Sequence, residues 1–165
     1  MAKIPSYLLN LAGEYRICSE LNKRGVFATM TYGNRKGVDV YAISDRQERA
    51  LKIEVKTAQI NRFVTNITRR GLDKDHPDAP DFWVLFQILP DQNETFKERF
   101  FVLTHREICK VQKGVSQAWE KGYFERHGKQ FDRTKGVDGV NVAHVEQFEN
   151  HWAKIIDQFG GPATS

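Results

Sequence analysis

Apolar positions recur at three- and four-residue steps over Leu8, Leu11, Ala12, Tyr15, Cys18 and Leu21, the stripe of an amphipathic helix. Ser6, after Pro5, is the expected N-cap, Lys23 and Arg24 suit the last turn, and Gly25 ends the helix. The period then drops to two. Val26 to Thr31 reads as a strand, Gly33 to Gly37 as a glycine-bounded turn, and Val38 to Ser44 and Leu51 to Thr57 as the arms of an antiparallel hairpin about a polar link. Asn61 to Arg70 reads as a strand or irregular arm, and Gly71 to Pro80 as a loop dense in Asp, His and Pro. Phe82 to Leu89 is almost continuously apolar, the mark of a strand buried on both faces. Pro90 to Glu98 is expected as a polar turn and Arg99 to Leu103 as a strand paired with its predecessor. Thr104-His105-Arg106-Glu107 is a capping box opening a helix to about Gln112. Asn141 caps a last helix whose apolar face is Val142, Val145, Phe148, Trp152, Ile155 and Phe159. The order of elements predicts one α/β domain over residues 1–160, with a loose tail at 161–165.

The hairpin carries the chemistry. Because side chains alternate faces, Glu54 and Lys56 point the same way. A symmetric turn puts Asp39 opposite Lys56 and Tyr41 opposite Glu54, all on one face, with Val38, Val40, Ala42, Ile53 and Val55 on the core-facing side. A slip of one residue would separate Asp39 from Glu54. Two carboxylates and a lysine suit Mg²⁺, which takes oxygen ligands and keeps several waters. Asp39 and Glu54 would supply carboxylate oxygens and Val55 its carbonyl. The ion lowers the pKa of a water and offsets charge on a phosphate. Lys56 can orient that water or stabilise developing charge. The same residues would also serve as a surface charge ladder that modestly supports a hairpin.

Ala12 to Gly25, then Gly33 to Val40, then Ile53 to Thr57 together resemble the PD-(D/E)XK nuclease superfamily, over about the first third of the chain. The resemblance implies a restriction-endonuclease-like fold, a mixed β-sheet flanked by helices. It implies a metal-dependent nuclease that hydrolyses phosphodiester bonds, with DNA the first choice of substrate, through a metal-activated water. By resemblance Asp39 and Glu54 are metal ligands, Lys56 is the catalytic lysine and Glu14 on the first helix is an auxiliary ligand. The implied cofactor is Mg²⁺, with Mn²⁺ as substitute. A homodimer is a possible assembly, since many such enzymes pair to cut both strands. Val38 stands where the motif has proline, and Gln59 to Phe63 is only a partial echo of a further Q-x-x-x-Y motif. Two other readings are a catalytically silent nucleic-acid-binding domain of the same fold and a protein-interaction subunit.

Charge sharpens the picture. Residues 33–75 hold ten Lys and Arg against six Asp and Glu, which accounts for the whole formal net charge of +4. Arg35, Lys36, Arg62, Arg69, Arg70 and Lys74 are the candidate nucleic-acid-binding rim. Cys18 and Cys109 are too few and too far apart in sequence for a disulfide framework and are expected as reduced thiols. No apolar run is long enough to span a bilayer, and a cytoplasmic protein is expected. Asp73, Asp75, His76, Asp78 and Asp81 read as a solvated loop, His105 as a surface histidine, and His144 and His151 as packing or surface residues. The tetrapeptide KGVD recurs at Lys135 to Asp138, too short for a repeat, and without a following ExK Asp138 is no rival ligand.

Overall fold

A computed structural model describes residues 4–31, 38–44, 49–73, 76–91, 95–133 and 136–160. Its helices are α1 (Ser6–Lys23), α2 (His105–His127), α3 (Val142–Val145) and α4 (Ala153–Ile156). Its strands are β1 (Phe27–Met30), β2 (Val40–Ser44), β3 (Arg49–Ala58), β4 (Arg62–Val64), β5 (Phe82–Pro90), β6 (Phe96–Thr104) and β7 (Gly139–Asn141). Five strands form the main sheet in the order β1-β2-β3-β5-β6, and β4 pairs with β7 in a small second sheet. All neighbours are antiparallel except β3 and β5, which run parallel at the centre. Parallel pairing requires a crossover, supplied here by residues 59–81.

The hairpin register differs from the symmetric expectation by two residues. Val40 pairs with Ile53 and Ser44 with Arg49. β3 starts at Arg49, two residues early, which shortens the connection to residues 45–48. An even shift keeps every side chain on its face. Val40, Ala42, Leu51, Ile53 and Val55 all enter one core, with Ile17 and Leu21 of α1. The opposite face packs Trp83, Leu85, Phe101 and Leu103 against Ile108 of α2 and Val142 and Val145 of α3. β5 is buried from Phe82 to Ile88, as its unbroken apolar run requires.

Other expectations are corrected. Pro5, not Ser6, stands at the N-cap of α1, and no side chain caps the helix, because Ser6 is already its first helical residue. Leu8, Leu11 and Tyr15 are 43%, 39% and 59% exposed; of the expected stripe Leu21 is buried, and Gly13, Ile17 and Glu20 complete the buried face. The buried face was hidden because it contains a glycine and a carboxylate. β6 begins at Phe96 inside the expected turn, and α2 extends to His127, where left-handed Gly128 ends it. The C-terminal segment is not one helix. α3 serves the second core while Trp152 and Ile155 serve the first, so the chain passes round the β6 edge between them. Glu149 bridges Phe101 there, and Asn150 turns with φ 56°. A single helix could not reach both faces of the sheet.

α1 docks on β3 through Gly13. A Cβ at this position would lie 1.8 Å from Thr57 Oγ1 and 3.1 Å from Thr57 Cβ. The close approach sets the position of Glu14, the next residue. Farther along, Glu20 is buried and ion-paired with Arg16, Lys23 and Arg24. Arg16 also pairs with Glu98 of β6 at 2.7 Å, and Arg24 lies 4.7 Å over the Trp152 ring. These contacts tie the helix to the far side of the sheet and to the C-terminal segment.

Two stability outcomes follow from this docking. Gly13→Ala should destabilise the protein by about 1–3 kcal/mol through overpacking, against a helix-propensity gain of about 1 kcal/mol. Thr57→Ala should recover much of the loss, since Thr57 Oγ1 is buried without a hydrogen-bond partner. Urea denaturation of the single and double variants measures the coupling; additive losses would contradict the contact. Burial alone would raise the Glu20 pKa, but hydrogen bonds from Arg24, Lys23 and Arg16 outweigh it and hold it at about 2 against an ordinary 4.5. A depressed folded-state pKa means stability that is complete above the unfolded value and lost as pH falls. Wild type should therefore lose stability between about pH 4.5 and pH 2, and Glu20→Gln should show a flatter profile in acid titrations followed by circular dichroism.

Candidate metal and nucleic-acid site

The site forms where the β2 ladder ends. Val40 is the last residue of β2 paired with β3, and β3 continues to Ala58. Beyond Val40 the backbone of β3 would lose its partner on that side. Asp39 supplies one. Its N–H donates to Ile53 O at 3.0 Å, and its Oδ2 accepts the Val55 N–H at 2.7 Å. Thr31 fastens the approach, donating from its backbone N–H to Asp39 O at 3.0 Å and from Oγ1 to Val38 O at 2.7 Å. A strand residue directs its N–H and C=O to the same side, so the Val55 carbonyl leaves β3 on the side of Asp39.

Glu54 and Lys56 project from the second face of β3, paired along the parallel ladder with Trp83 and Leu85. Glu54 is 2% exposed. An unpaired carboxylate in that position would cost several kcal/mol. Lys56 Nζ lies 2.5 Å from Glu54 Oε1, and Arg70 reaches the same carboxylate with Nη1 at 2.6 Å from Oε1 and Nη2 at 3.4 Å from Oε2. Burial raises the Glu54 pKa, but Lys56 and Arg70 overcome it and keep the group ionised below its usual range.

Asp39 and Glu14 shift the other way. Burial, then the nearby Glu54 charge, raises Asp39, against Lys56, the Val55 hydrogen bond and Arg70. Burial, then Asp39, raises Glu14, which also feels Lys56 and Glu54. Glu14, Asp39, Glu54, Lys56 and Arg70 thus share one electrostatic site. Three carboxylates share it with two cations, and two of those carboxylates are pushed toward their protonated forms. This donor set has the hard oxygen chemistry that suits Mg²⁺ or Mn²⁺. The side chains are not yet arranged as a ligand cage. Among the described residues no three His, Cys, Asp or Glu side chains converge at ligand spacing. Asp39 is engaged with Val55 and Glu54 with Lys56 and Arg70.

The expected basic rim is dispersed. Arg70 points into the site, whereas Arg62 donates to the Val137 carbonyl at 3.0 Å. Arg69 lines a separate cavity of about 580 Å³, with Arg62, Thr68, Trp119, Phe131 and Arg133; none of Glu14, Asp39, Glu54 or Lys56 lines it. Arg35, Lys36 and Lys74 lie outside the described residues.

Sequence reasoning overlooked three roles. Arg70, expected only in a rim, is a direct partner of Glu54. Asp138 accepts the backbone N–H groups of Thr68 and Arg69 at 2.7 and 3.3 Å and so builds the turn that carries Arg70. Its repeated KGVD was the one available signal. His105 is half-buried, accepts from Trp83 Nε1 at 3.0 Å through Nδ1 and donates to Leu72 O at 2.8 Å through Nε2. It supports the Trp83 partner of Glu54, a link no local pattern encodes. In the acidic loop, Asp81 accepts the Lys52 N–H at 2.7 Å and fixes the strand start, while Asp75 lies outside the described residues. Gln59 accepts from the Ile4 N–H at 3.0 Å, tying down the start of α1. Cys18 and Cys109 are unpaired, and burial pushes both thiols up to about 11. Among the described residues no helix is long and apolar enough to cross a membrane.

No family model matches the chain, and no curated protein matches it in sequence. Solved structures do match in shape. The structure of a bacterial homing endonuclease, I-Ssp6803I, aligns with a TM-score of 0.53 at 14% identity, over 96% of this chain and 96% of that one. Hjc, a Holliday junction resolvase from Archaeoglobus fulgidus, aligns with a TM-score of 0.46 at 15% identity, over 88% of this chain and 93% of that one. The near-complete mutual coverage of the first alignment extends the likeness beyond the N-terminal third that carries the sequence motif. With its mixed five-stranded sheet flanked by helices, the chain has a restriction-endonuclease-like fold, shared with that homing endonuclease.

Proposed function

We propose that this protein is a metal-dependent nuclease that hydrolyses phosphodiester bonds, with DNA as its substrate and Mg²⁺ or Mn²⁺ as its cofactor. The observation that carries this reading is the meeting of Glu14, Asp39, Glu54 and Lys56 at the end of the β2 ladder. The fold shared with a homing endonuclease supports it.

Asp39, Glu54 and the Val55 carbonyl would hold the cation, and Glu14 would add a further carboxylate. When bound, the cation supplies Lewis acidity and lowers the pKa of a water. Lys56, already ion-paired beside the carboxylates, holds a positive charge where negative charge develops on the phosphorus oxygens. Asp39 keeps its Val55 hydrogen bond through one oxygen and presents the other. Water oxygen bonds to phosphorus as the phosphorus–alkoxide bond breaks, and the proton leaves through solvent or the alkoxide. Arg62, Arg69 and Arg70 bring positive charge to the surface of the crossover, with Arg35, Lys36 and Lys74 the remaining members of the proposed rim. A homodimer cutting both strands belongs to the same proposal, and solution mass on and off DNA tests it.

Cleavage of a labelled DNA panel in Mg²⁺ or Mn²⁺ is the direct test. Asp39→Asn, Glu54→Gln and Lys56→Ala should each lower the rate by about 10²–10³-fold, Glu14→Gln by less, and chelation should abolish cleavage reversibly. Binding without Glu54-dependent cleavage would reassign the protein as a silent nucleic-acid-binding domain. A second outcome needs no substrate. Burial first, and neighbouring carboxylate charge second, raise the Asp39 and Glu14 pKa values, so ionising them carries a cost that grows as pH rises. A cation that relieves it stabilises the folded state by mass action. Mn²⁺ should raise the melting temperature of wild type, more so at neutral than at acid pH, and should leave Glu54→Gln almost unchanged; equal shifts in both would remove Glu54 from the metal site.

A further inference from the structure

The segment between β4 and the acidic loop is built to deliver one side chain. Asn66 and Gly71 adopt positive φ of 51° and 68° and bracket the turn. Within it the Arg70 N–H donates to Asn66 O at 3.0 Å and the Leu72 N–H to Ile67 O at 2.9 Å. Ile67 and Leu72 are fully buried anchors at its base. Asp138, the residue before β7, closes the turn by accepting the Thr68 and Arg69 N–H groups. The side chain so presented is Arg70, and its guanidinium lies on both oxygens of Glu54.

The metal proposed above must have Glu54, and Arg70 already occupies it. A guanidinium and a divalent cation cannot share those oxygens without strong repulsion. The planar fork of Arg fits a phosphate as well as it fits a carboxylate. We propose that Arg70 is an exchangeable counter-ion: it holds the buried Glu54 carboxylate in the metal-free protein, yields it to a divalent cation, and then binds a phosphodiester oxygen of the substrate. Asp138 is the positioning residue that aims it. The exchange makes no covalent bond and moves no electrons. It couples the two ligands, because phosphate binding draws Arg70 away from Glu54 and so favours metal, and metal binding releases Arg70 for phosphate. The inference rests on the nuclease reading in one respect, that Glu54 is a metal ligand.

Calorimetry with Mn²⁺, and binding of a fluorescent DNA duplex with and without Ca²⁺, test it on the full chain. Arg70→Met keeps the apolar stem and removes the charge. It should bind Mn²⁺ about 5-fold or more tighter than wild type, the scale of ordinary site–site coupling. A gain of metal affinity is something that damage to the fold does not produce. The same variant should lose DNA affinity only when Ca²⁺ is present, with a salt dependence shallower by about one phosphate contact. Asp138→Ala should show both effects in part, and Asp138→Asn, whose amide oxygen accepts the same N–H bonds, should restore wild-type behaviour. Unchanged or weaker Mn²⁺ binding by Arg70→Met, while Glu54→Gln abolishes it, would overturn the exchange and leave the nuclease reading standing. Equal DNA losses with and without Ca²⁺ would likewise overturn it, making Arg70 an ordinary rim cation. Full Mn²⁺ affinity in Glu54→Gln would remove the metal ligand and overturn both.

Discussion

A carboxylate buried in the middle of a sheet is the constraint from which the rest of this molecule is built. Glu54 is shut in by Trp83 on the neighbouring strand and by the crossover beyond it. A lone charge there would cost several kcal/mol, so cations must come to it. Lys56 comes from the same strand, two residues along, at the cost only of its own rotamer freedom. Arg70 comes from sixteen residues away and needs a dedicated turn, two left-handed residues, two buried anchors and the aspartate that precedes β7. The small β4-β7 sheet sits beside that turn, with Thr65 donating its backbone N–H to Asp138 O at 3.0 Å. The crossover turn and the small β4-β7 sheet thus serve the neutralisation of one side chain.

Asp39 solves a different problem at the same place. A strand that outlasts its neighbour exposes unpaired backbone groups. Here the unpaired Val55 N–H is taken by a carboxylate rather than by water. That bond fixes Asp39 against β3, where burial first and the neighbouring Glu54 charge second raise its pKa. The hydrogen bond and the repulsion pull in opposite directions. The result is a site that is geometrically ordered but electrostatically under-neutralised. Glu14, carried in by the Gly13 contact with Thr57, adds to the imbalance. A fold that needed only stability would have no reason to dock a third carboxylate there.

The core of the site was legible in sequence because strand periodicity fixes faces. Glu54 and Lys56 share a face whatever the register, and the two-residue shift of the hairpin preserved the face assignment of Asp39's neighbours. The apolar run of β5 was equally readable, since nothing else explains eight consecutive large residues. What was not legible depends on long-range placement. Arg70 and Asp138 lie in segments with no period, and their roles arise only when β7 pairs with β4. The buried face of α1 was misread because packing chose Gly13 and Glu20 over Leu8 and Tyr15: close approach selects for smallness and ion pairing selects for charge, and neither scores as apolar. The C-terminal segment was misread because an apolar period says that residues are buried, not that they are buried on the same side of a sheet.

The two cations on Glu54 are not equivalent, and the difference bears on how such a site can be both stable and responsive. Lys56 is held by the strand itself, so it stays near Glu54 in any state in which β3 is formed. Arg70 is held by a turn bonded within residues 66–72, to Asp138 and, through Leu72 O, to His105 of α2. Its side chain is 29% exposed, against 3% for the Glu54 side chain it covers. Lys56 is exposed to the same degree, at 28%, so a ligand approaching Glu54 from solvent meets both cations. Lys56 keeps the buried charge compensated while Arg70 moves, so displacement of the arginine need not leave the carboxylate unpaired at any point. With Lys56 alone, Oε2 of the buried Glu54 would lose its Arg70 partner at rest, and a site with two strand-bound cations would exclude a metal. One fixed and one movable cation satisfies both demands.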